Sequence, residues 1–363
     1  MTFLLLAVIT LLLAAANGAN DNIKGAATLV GSGVMGYRAA ISLATVATAA
    51  GGVISIFLAN GLLLAFSGKG TVPQEVTASL PFLLSVATGA AMTIWFATWI
   101  GMPISTTHAL LGGLFGAGLA AVPQQVDTMM ALRAMLLPLL ISPLVALILA
   151  LVLVPGMRRM RAAAARSDPC VCSEPDLVMD AAGIVAGRMA ITLADSSALA
   201  CQPAASRSIV ALPAWLWLDR SHLVSAAAVS FARGLNDTPK IAALMFATGG
   251  MGVAAASMAV VVAMALGGLL AARRVSETLA FGVTRMDAGE GLGGNMVTAA
   301  LVIGASRFGL PVSTTHVSTG ALFGIAVGNG SGRAGVIGNI VLAWCVTLPV
   351  AGILAYAMRS LLA

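Results

Sequence analysis

The chain has 363 residues, 59% of them hydrophobic and 9% charged, with a formal net charge of +6 and a mean hydropathy of +1.00. Soluble domains carry roughly 25% charged residues, so this composition has too little polar surface to cover a water-soluble fold. The positive balance does not point to nucleic acid, because the basic residues fall mainly between apolar runs, where they set membrane topology.

The first apolar stretch, 2–35, opens with MTFLLLAVITLLLAAANG. It resembles a signal peptide, but it lacks a basic leading segment and runs straight into Asn20-Asp21, so it is read as the first helix. Further runs follow at 39–66, 79–98, 100–122 and 133–154. A polar stretch from about 156 to 220 comes next, with Arg158, Arg159, Arg161 and Arg166 at its start and Arg207 and Arg220 at its end. The second half repeats the plan at 222–250, 252–272, 292–308, 311–328 and 335–358. The apolar runs approach or exceed the ~20 residues of a spanning helix. Strand alternation is absent, which argues against a membrane β-barrel.

The expected fold is therefore an all-α polytopic membrane protein: membrane repeat 1 at 1–155, a polar linker loop at 156–220 and membrane repeat 2 at 221–363. The arginines place the linker, and the loop around Arg273, Arg274 and Arg285, in the cytoplasm. The short loop at Lys69 and Glu75 can lie outside. About five membrane elements per half is an odd number, so the halves enter with opposite orientation. Both termini then lie outside, and the two repeats are inverted, with a site near the midplane between them. The elements holding Asn-Asp pairs are expected to be broken or re-entrant there. Of the cysteines, Cys170, Cys172, Cys201 and Cys345, the Cys170-x-Cys172 pair is too weak a pattern to imply a metal.

The duplication is written in the polar residues. Asn20-Asp21 (GANDNIKG) returns as Asn236-Asp237 (GLNDTPKI), and PISTTH from Pro103 to His108 returns as PVSTTH from Pro311 to His316. A carboxylate in hydrocarbon costs ~2.5 kcal/mol or more. Lys24 and Lys240 follow the aspartates by three residues, a spacing that puts acid and base on one helix face. The bland reading is a structural ion pair. The functional one rests on the duplication and on the flanking Gly18, Gly25, Gly234 and Pro239, which loosen the helix. A broken helix is tolerated in a membrane only where it lines a cavity. Free carbonyls with Asp and Asn oxygens make a hard cation site, and free N–H groups an anion site.

In each second phrase a Pro starts a helix with unpaired N–H groups, and Ser105, Thr106 and Thr107, or Ser313, Thr314 and Thr315, add hydroxyls. Together the two can enclose one tetrahedral oxyanion, although such triplets also serve as helix caps. His108 and His316 are either packing residues or a proton relay. Asn295 is grouped with the cation-coupling residues Asn20, Asp21, Asn236 and Asp237, and reaches PVSTTH only if its helix folds back. Glu290 is read as interfacial. The three histidines, with His222 near a membrane edge, show no metal-ligand spacing, and no P-loop is present.

With GANDNIKG, PISTTH, GLNDTPK and GLPVSTTH in this order, the chain resembles the PiT family of inorganic phosphate transporters. The resemblance covers both membrane halves and leaves the linker unmatched. It implies a dimeric inner (plasma) membrane protein that imports phosphate by secondary active transport, driven by a cation gradient of protons or sodium. The resemblance also implies no enzymatic activity and no cofactor besides the coupling cation. The resemblance carries over to Asn20, Asp21, Asn236 and Asp237 for the coupling cation, and to Ser105, Thr106, Thr107, Ser313, Thr314 and Thr315 for phosphate. Lys24 and Lys240 depart from the sodium-coupled pattern. Each ammonium either replaces a bound sodium ion or attracts phosphate. Rival readings are a sulfate permease of the same family, a passive anion channel and an intramembrane hydrolase. The aspartates favour phosphate over sulfate, because only phosphate has a hydroxyl to donate.

Overall fold

A computed structural model describes residues 2–58, 60–66, 72–164, 169–179, 185–195, 207–211, 214–247 and 250–362. Lys69 and Cys201 lie outside the described residues. Ten long helices carry the fold. The first half holds α1 (Thr2–Asp21), α2 (Tyr37–Leu58), α3 (Leu80–Trp99), α4 (Thr106–Ala121) and α5 (Leu137–Ala164). The second holds α6 (Ala214–Phe246), α7 (Val253–Ala271), α8 (Ala288–Arg307), α9 (Thr314–Asn329) and α10 (Ala334–Leu361). Among the described residues, α1, α2, α3, α5, α7 and α10 are long and apolar enough to cross a membrane. Helices α4 and α9 have 16 residues each, ~24 Å at ~1.5 Å per residue, short of a hydrocarbon core of ~30 Å.

The packing repeats itself across the halves. Helix α1 lies against α7 of the other half, and its counterpart α6 lies against α2. Likewise α3 and α4 pack on α10, while α8 and α9 pack on α5. Glycines allow the close crossings: a Cβ on Gly18 would sit 2.0 Å from the Met264 carbonyl oxygen, and one on Gly234 would sit 2.0 Å from that of Thr48. Small residues at helix contacts are how backbones approach in lipid, where no hydrophobic force drives the helices together. Large apolar side chains such as Phe57, Val152 and Leu270 point outward, and polar ones such as Asn20, Asp21, Arg233, Asn236 and Asp237 are buried.

Two expectations are corrected. The second Asn-Asp element is not broken: α6 runs without interruption from Ala214 to Phe246 with Pro239 inside. Proline removes one intrahelical bond, but its φ is already helical, and neighbouring groups in a bundle can take up the freed carbonyl. Only the first element breaks. There α1 ends at Asp21, turns follow, and a short helix resumes at Ala27–Gly31. The 156–220 segment is also not a plain loop. Helix α5 extends to Ala164, and three antiparallel strands, β1 (Pro169–Met179), β2 (Val185–Asp195) and β3 (Arg207–Ala211), pair in the order β2-β1-β3. Cys170 and Cys172 lie on β1.

Candidate functional site

Helices α3 and α4 form a hairpin, as do α8 and α9. Each turn contains a glycine in the left-handed region, Gly101 at φ +78° and Gly309 at φ +67°, which glycine adopts without a Cβ clash. The turn lets the chain reverse and deliver Pro103 or Pro311 to the start of a buried helix. Asparagines from the doubled phrase tie these tips down. Asn20 Nδ2 donates to the Met102 carbonyl and to Thr98 Oγ1, each at 3.0 Å, and Asn20 Oδ1 accepts from the Ile104 N–H at 3.0 Å. Asn236 Nδ2 donates to the Val312 carbonyl at 3.2 Å, and Asn236 Oδ1 accepts from Ser306 at 3.3 Å.

The two aspartates meet. Asn17 Nδ2 lies 3.4 Å from Asp21 Oδ2 and 3.2 Å from Asp237 Oδ2, so one amide bridges carboxylates from opposite halves. Asn17 Nδ2 also donates to Thr106 Oγ1 at 2.8 Å. Around the pair stand three cations. Lys24 is in contact with Asp21, and Lys240 Nζ lies 3.6 Å from Asp237 Oδ1. Arg233 Nε lies 3.7 Å from Asp237 Oδ2. Exposure is 1% for Asp21, Asp237, Arg233 and Lys240 and 4% for Lys24. Three cations against two carboxylates leave one buried positive charge.

The threonines lock the halves across this cluster. Thr315 Oγ1 donates to the Ile104 carbonyl at 2.7 Å and Thr107 Oγ1 to the Val312 carbonyl at 3.3 Å, each reaching the opposite hairpin tip. Lys24 Nζ donates to the same Ile104 carbonyl at 3.0 Å, and Lys240 Nζ to the same Val312 carbonyl at 2.8 Å.

A match to the phosphate transporter family covers residues 17–355, nearly the whole chain. The chain belongs to the phosphate transporter family. A Mycobacterium tuberculosis protein named "Probable low-affinity inorganic phosphate transporter" is 28% identical over 367 residues, covering 97% of this chain and 76% of that protein. The Arabidopsis thaliana protein "Inorganic phosphate transporter 2-1, chloroplastic" is 27% identical over 408 residues, covering 93% of this chain and 68% of its own. A solved structure titled "The sodium-dependent phosphate transporter" superposes with a TM-score of 0.76, at 21% identity over 99% of this chain and 98% of that one. That likeness is one of fold. Like its named relatives, this phosphate transporter family member is not an enzyme.

Not all of the expected residues of this family member fall in the cluster. Ser105 and Ser313 cap α4 and α9, accepting from the His108 and His316 N–H groups at 3.1 and 3.2 Å. Thr314, the counterpart of Thr106, is buried at the start of α9. The rings of His108 and His316 meet at 4.4 Å, and His316 lies against Trp344 at 4.1 Å with the rings tilted by 41°. Both line an apolar cavity of about 480 Å³ between α5 and α10. Neither imidazole hydrogen-bonds to Asp21 or Asp237 among the described residues.

Asn295 does not reach PVSTTH. It donates to Thr28 Oγ1 at 2.9 Å and lies 3.4 Å from Ser225 Oγ, with His222 Nε2 also 2.9 Å from Thr28 Oγ1. The reason is that α8 packs along α6, which carries Ser225 and His222. Aligned by the doubled phrases, the counterparts of Thr28, His222, Ser225 and Asn295 are Leu244, Leu6, Ile9 and Ala87, so this polar group is not repeated in the other half. Glu290 is buried within the protein. It forms a capping box with Asp287 at the start of α8 and pairs with Arg158 at 3.5 Å.

Arg233 and Asn17 are the cluster residues that sequence reasoning missed. Arg233 Nη1 donates to Asn22 Oδ1 at 3.0 Å; Nη2 donates to the Asn17 carbonyl at 3.1 Å and also contacts Asn17 Oδ1. Extending the doubled phrase back three residues aligns Asn17 with Arg233. The signal was present as a mismatch between the repeats.

Proposed function

We propose that this chain is a secondary phosphate carrier that imports inorganic phosphate by symport with a cation, through one site between its halves. The observation that carries the reading is the buried cluster of Lys24, Lys240 and Arg233 around Asp21 and Asp237, flanked by Thr106, Thr107 and Thr315. One excess positive charge in a low-dielectric interior is costly unless an anion joins it. Phosphate neutralises it and takes up the donors now spent on the Ile104 and Val312 carbonyls, while its own hydroxyl donates to an aspartate oxygen. Sulfate has no proton for that bond. The cluster is closed to both sides, so entry requires the two hairpin tips to part. Alternating access is then the opening of Thr315–Ile104 on one side and Thr107–Val312 on the other.

The exchanged packing of the halves supports a pair of inverted repeats. The arginine-rich central segment is placed in the cytoplasm and both termini outside, in the plasma (inner) membrane. The carrier works as a homodimer. The test is uptake of labelled phosphate into proteoliposomes under an imposed ion gradient. Accumulation above the equilibrium level, weakly inhibited by excess sulfate, is expected. Flux that follows the phosphate gradient alone identifies a channel, and inhibition by sulfate equal to that by phosphate identifies a sulfate permease.

A further inference from the structure

Resting on that transport reading, we infer that the ammonium groups of Lys24 and Lys240 are tethered occupants of two monovalent-cation positions, so that this chain moves phosphate without sodium bound beside either aspartate. The surroundings of each nitrogen carry the inference. Lys24 Nζ touches Asp21 Oδ1, Asn20 Oδ1 at 3.3 Å, the Ile104 carbonyl at 3.0 Å and Thr315 Oγ1 at 2.5 Å. Lys240 Nζ touches Asp237 Oδ1 at 3.6 Å, the Val312 carbonyl at 2.8 Å and Thr107 Oγ1 at 2.8 Å, with the Phe66 ring centroid at 5.4 Å.

Three members of the two sets correspond: carboxylate for carboxylate, hairpin-tip carbonyl for hairpin-tip carbonyl, and a threonine hydroxyl from the opposite half in each; the Asn20 amide oxygen belongs to the Lys24 set alone. Carboxylate, amide, carbonyl and hydroxyl oxygens are the donor set of a hard cation. The hydroxyls face the nitrogens as acceptors only, because Thr315 and Thr107 spend their protons on Ile104 and Val312. Every partner of Lys24 Nζ therefore accepts, and the four oxygens share the three N–H bonds of an ammonium.

A merely structural ion pair needs only the carboxylate. These nitrogens also join a tip of one half to a hydroxyl of the other, as an ion bound between the halves would. A tethered cation differs from a diffusing one in a single respect: it stays with the protein when the site opens, so its gradient drives nothing. Arg233 reinforces the exclusion, since it adds a third fixed cation beside Asp237. A sodium ion entering either cage meets an ammonium in place of open oxygens.

The test is phosphate uptake by the full chain in proteoliposomes, with external sodium or choline at fixed pH, alongside ²²Na influx. Wild type is expected to differ less than about twofold between the two ions and to show no phosphate-dependent ²²Na entry. Sodium stimulation of tenfold or more, with ²²Na entering alongside phosphate, overturns the inference. No uptake under either ion overturns the transport reading, and the coupling inference with it. The paired variant Lys24→Ser/Lys240→Ser opens both cages. Titration with sodium chloride against choline chloride should raise its melting temperature while leaving wild type unmoved, a readout independent of transport. A sodium-specific rise in wild type, or none in the variant, counts against tethering.

Discussion

Replacing Arg233 tests the charge of the site most cleanly, because Arg233 has no cationic counterpart in the other half. Its guanidinium spans four acceptors from the first half, the Asn17 carbonyl, Asn17 Oδ1, Asn22 Oδ1 and Thr48 Oγ1, and stands 3.7 Å from Asp237. Arg233→Gln leaves two cations against two carboxylates, so the excess charge that receives an anion is gone. At ~6–10 Å and an effective dielectric of ~20, one unit charge contributes about 1.7–2.8 kcal/mol to holding an anion, which is roughly 15–100-fold in affinity at ~1.4 kcal/mol per decade. The KM for phosphate uptake should rise by that factor. Asp237 keeps Lys240, so the variant should still fold, with a lower melting temperature from the stranded Asn17 and Asn22 oxygens. Arg233→Lys keeps the charge but not the fork, and should fall between. The reasoning is refuted if Arg233→Gln is folded and its KM stays within twofold of wild type.

Asp21→Asn and Asp237→Asn should each abolish uptake while the protein remains in the membrane. Asp21→Asn should also lose ~3–5 kcal/mol of stability, the cost of stranding Lys24 in a buried pair, read as a lowered melting temperature in detergent. Ser105→Ala removes a helix cap, and should cost ~0.5–2 kcal/mol of stability with little change in KM; a tenfold higher KM without destabilisation would make Ser105 a phosphate ligand instead. Gly18→Ala and Gly234→Ala force a Cβ to within 2.0 Å of a carbonyl oxygen on the crossing helix, and neither should give monodisperse protein on size exclusion.

The site was legible because its residues are rare in this chain. Against an apolar background, the doubled Asn-Asp and STTH phrases could be picked out by eye, and the structure brings both pairs to one place. The same rule hid Arg233: a search for what repeats passes over the position where Asn17 and Arg233 differ. Pro239 was read as a break because proline opposes helix, yet one lost bond does not end a 33-residue helix packed on several neighbours. Asn295 bonds away from PVSTTH because its partners, Thr28 on the short helix Ala27–Gly31 and Ser225 on α6, come from distant segments that only tertiary packing brings beside α8. Glu290 was readable in principle, since Asp287-x-x-Glu290 is a capping box written in sequence. The serines' capping role was the plainer of two local readings, and the duplication drew attention to the other.

The claim that this chain is a phosphate carrier is tested most directly by counterflow. Proteoliposomes loaded with unlabelled phosphate are diluted into a trace of labelled phosphate, with sulfate-loaded vesicles in parallel. A single site that faces one side at a time predicts a transient rise of internal label above its equilibrium value with phosphate inside, and none with sulfate inside. Monotonic filling to equilibrium, or an equal overshoot with sulfate, would contradict it.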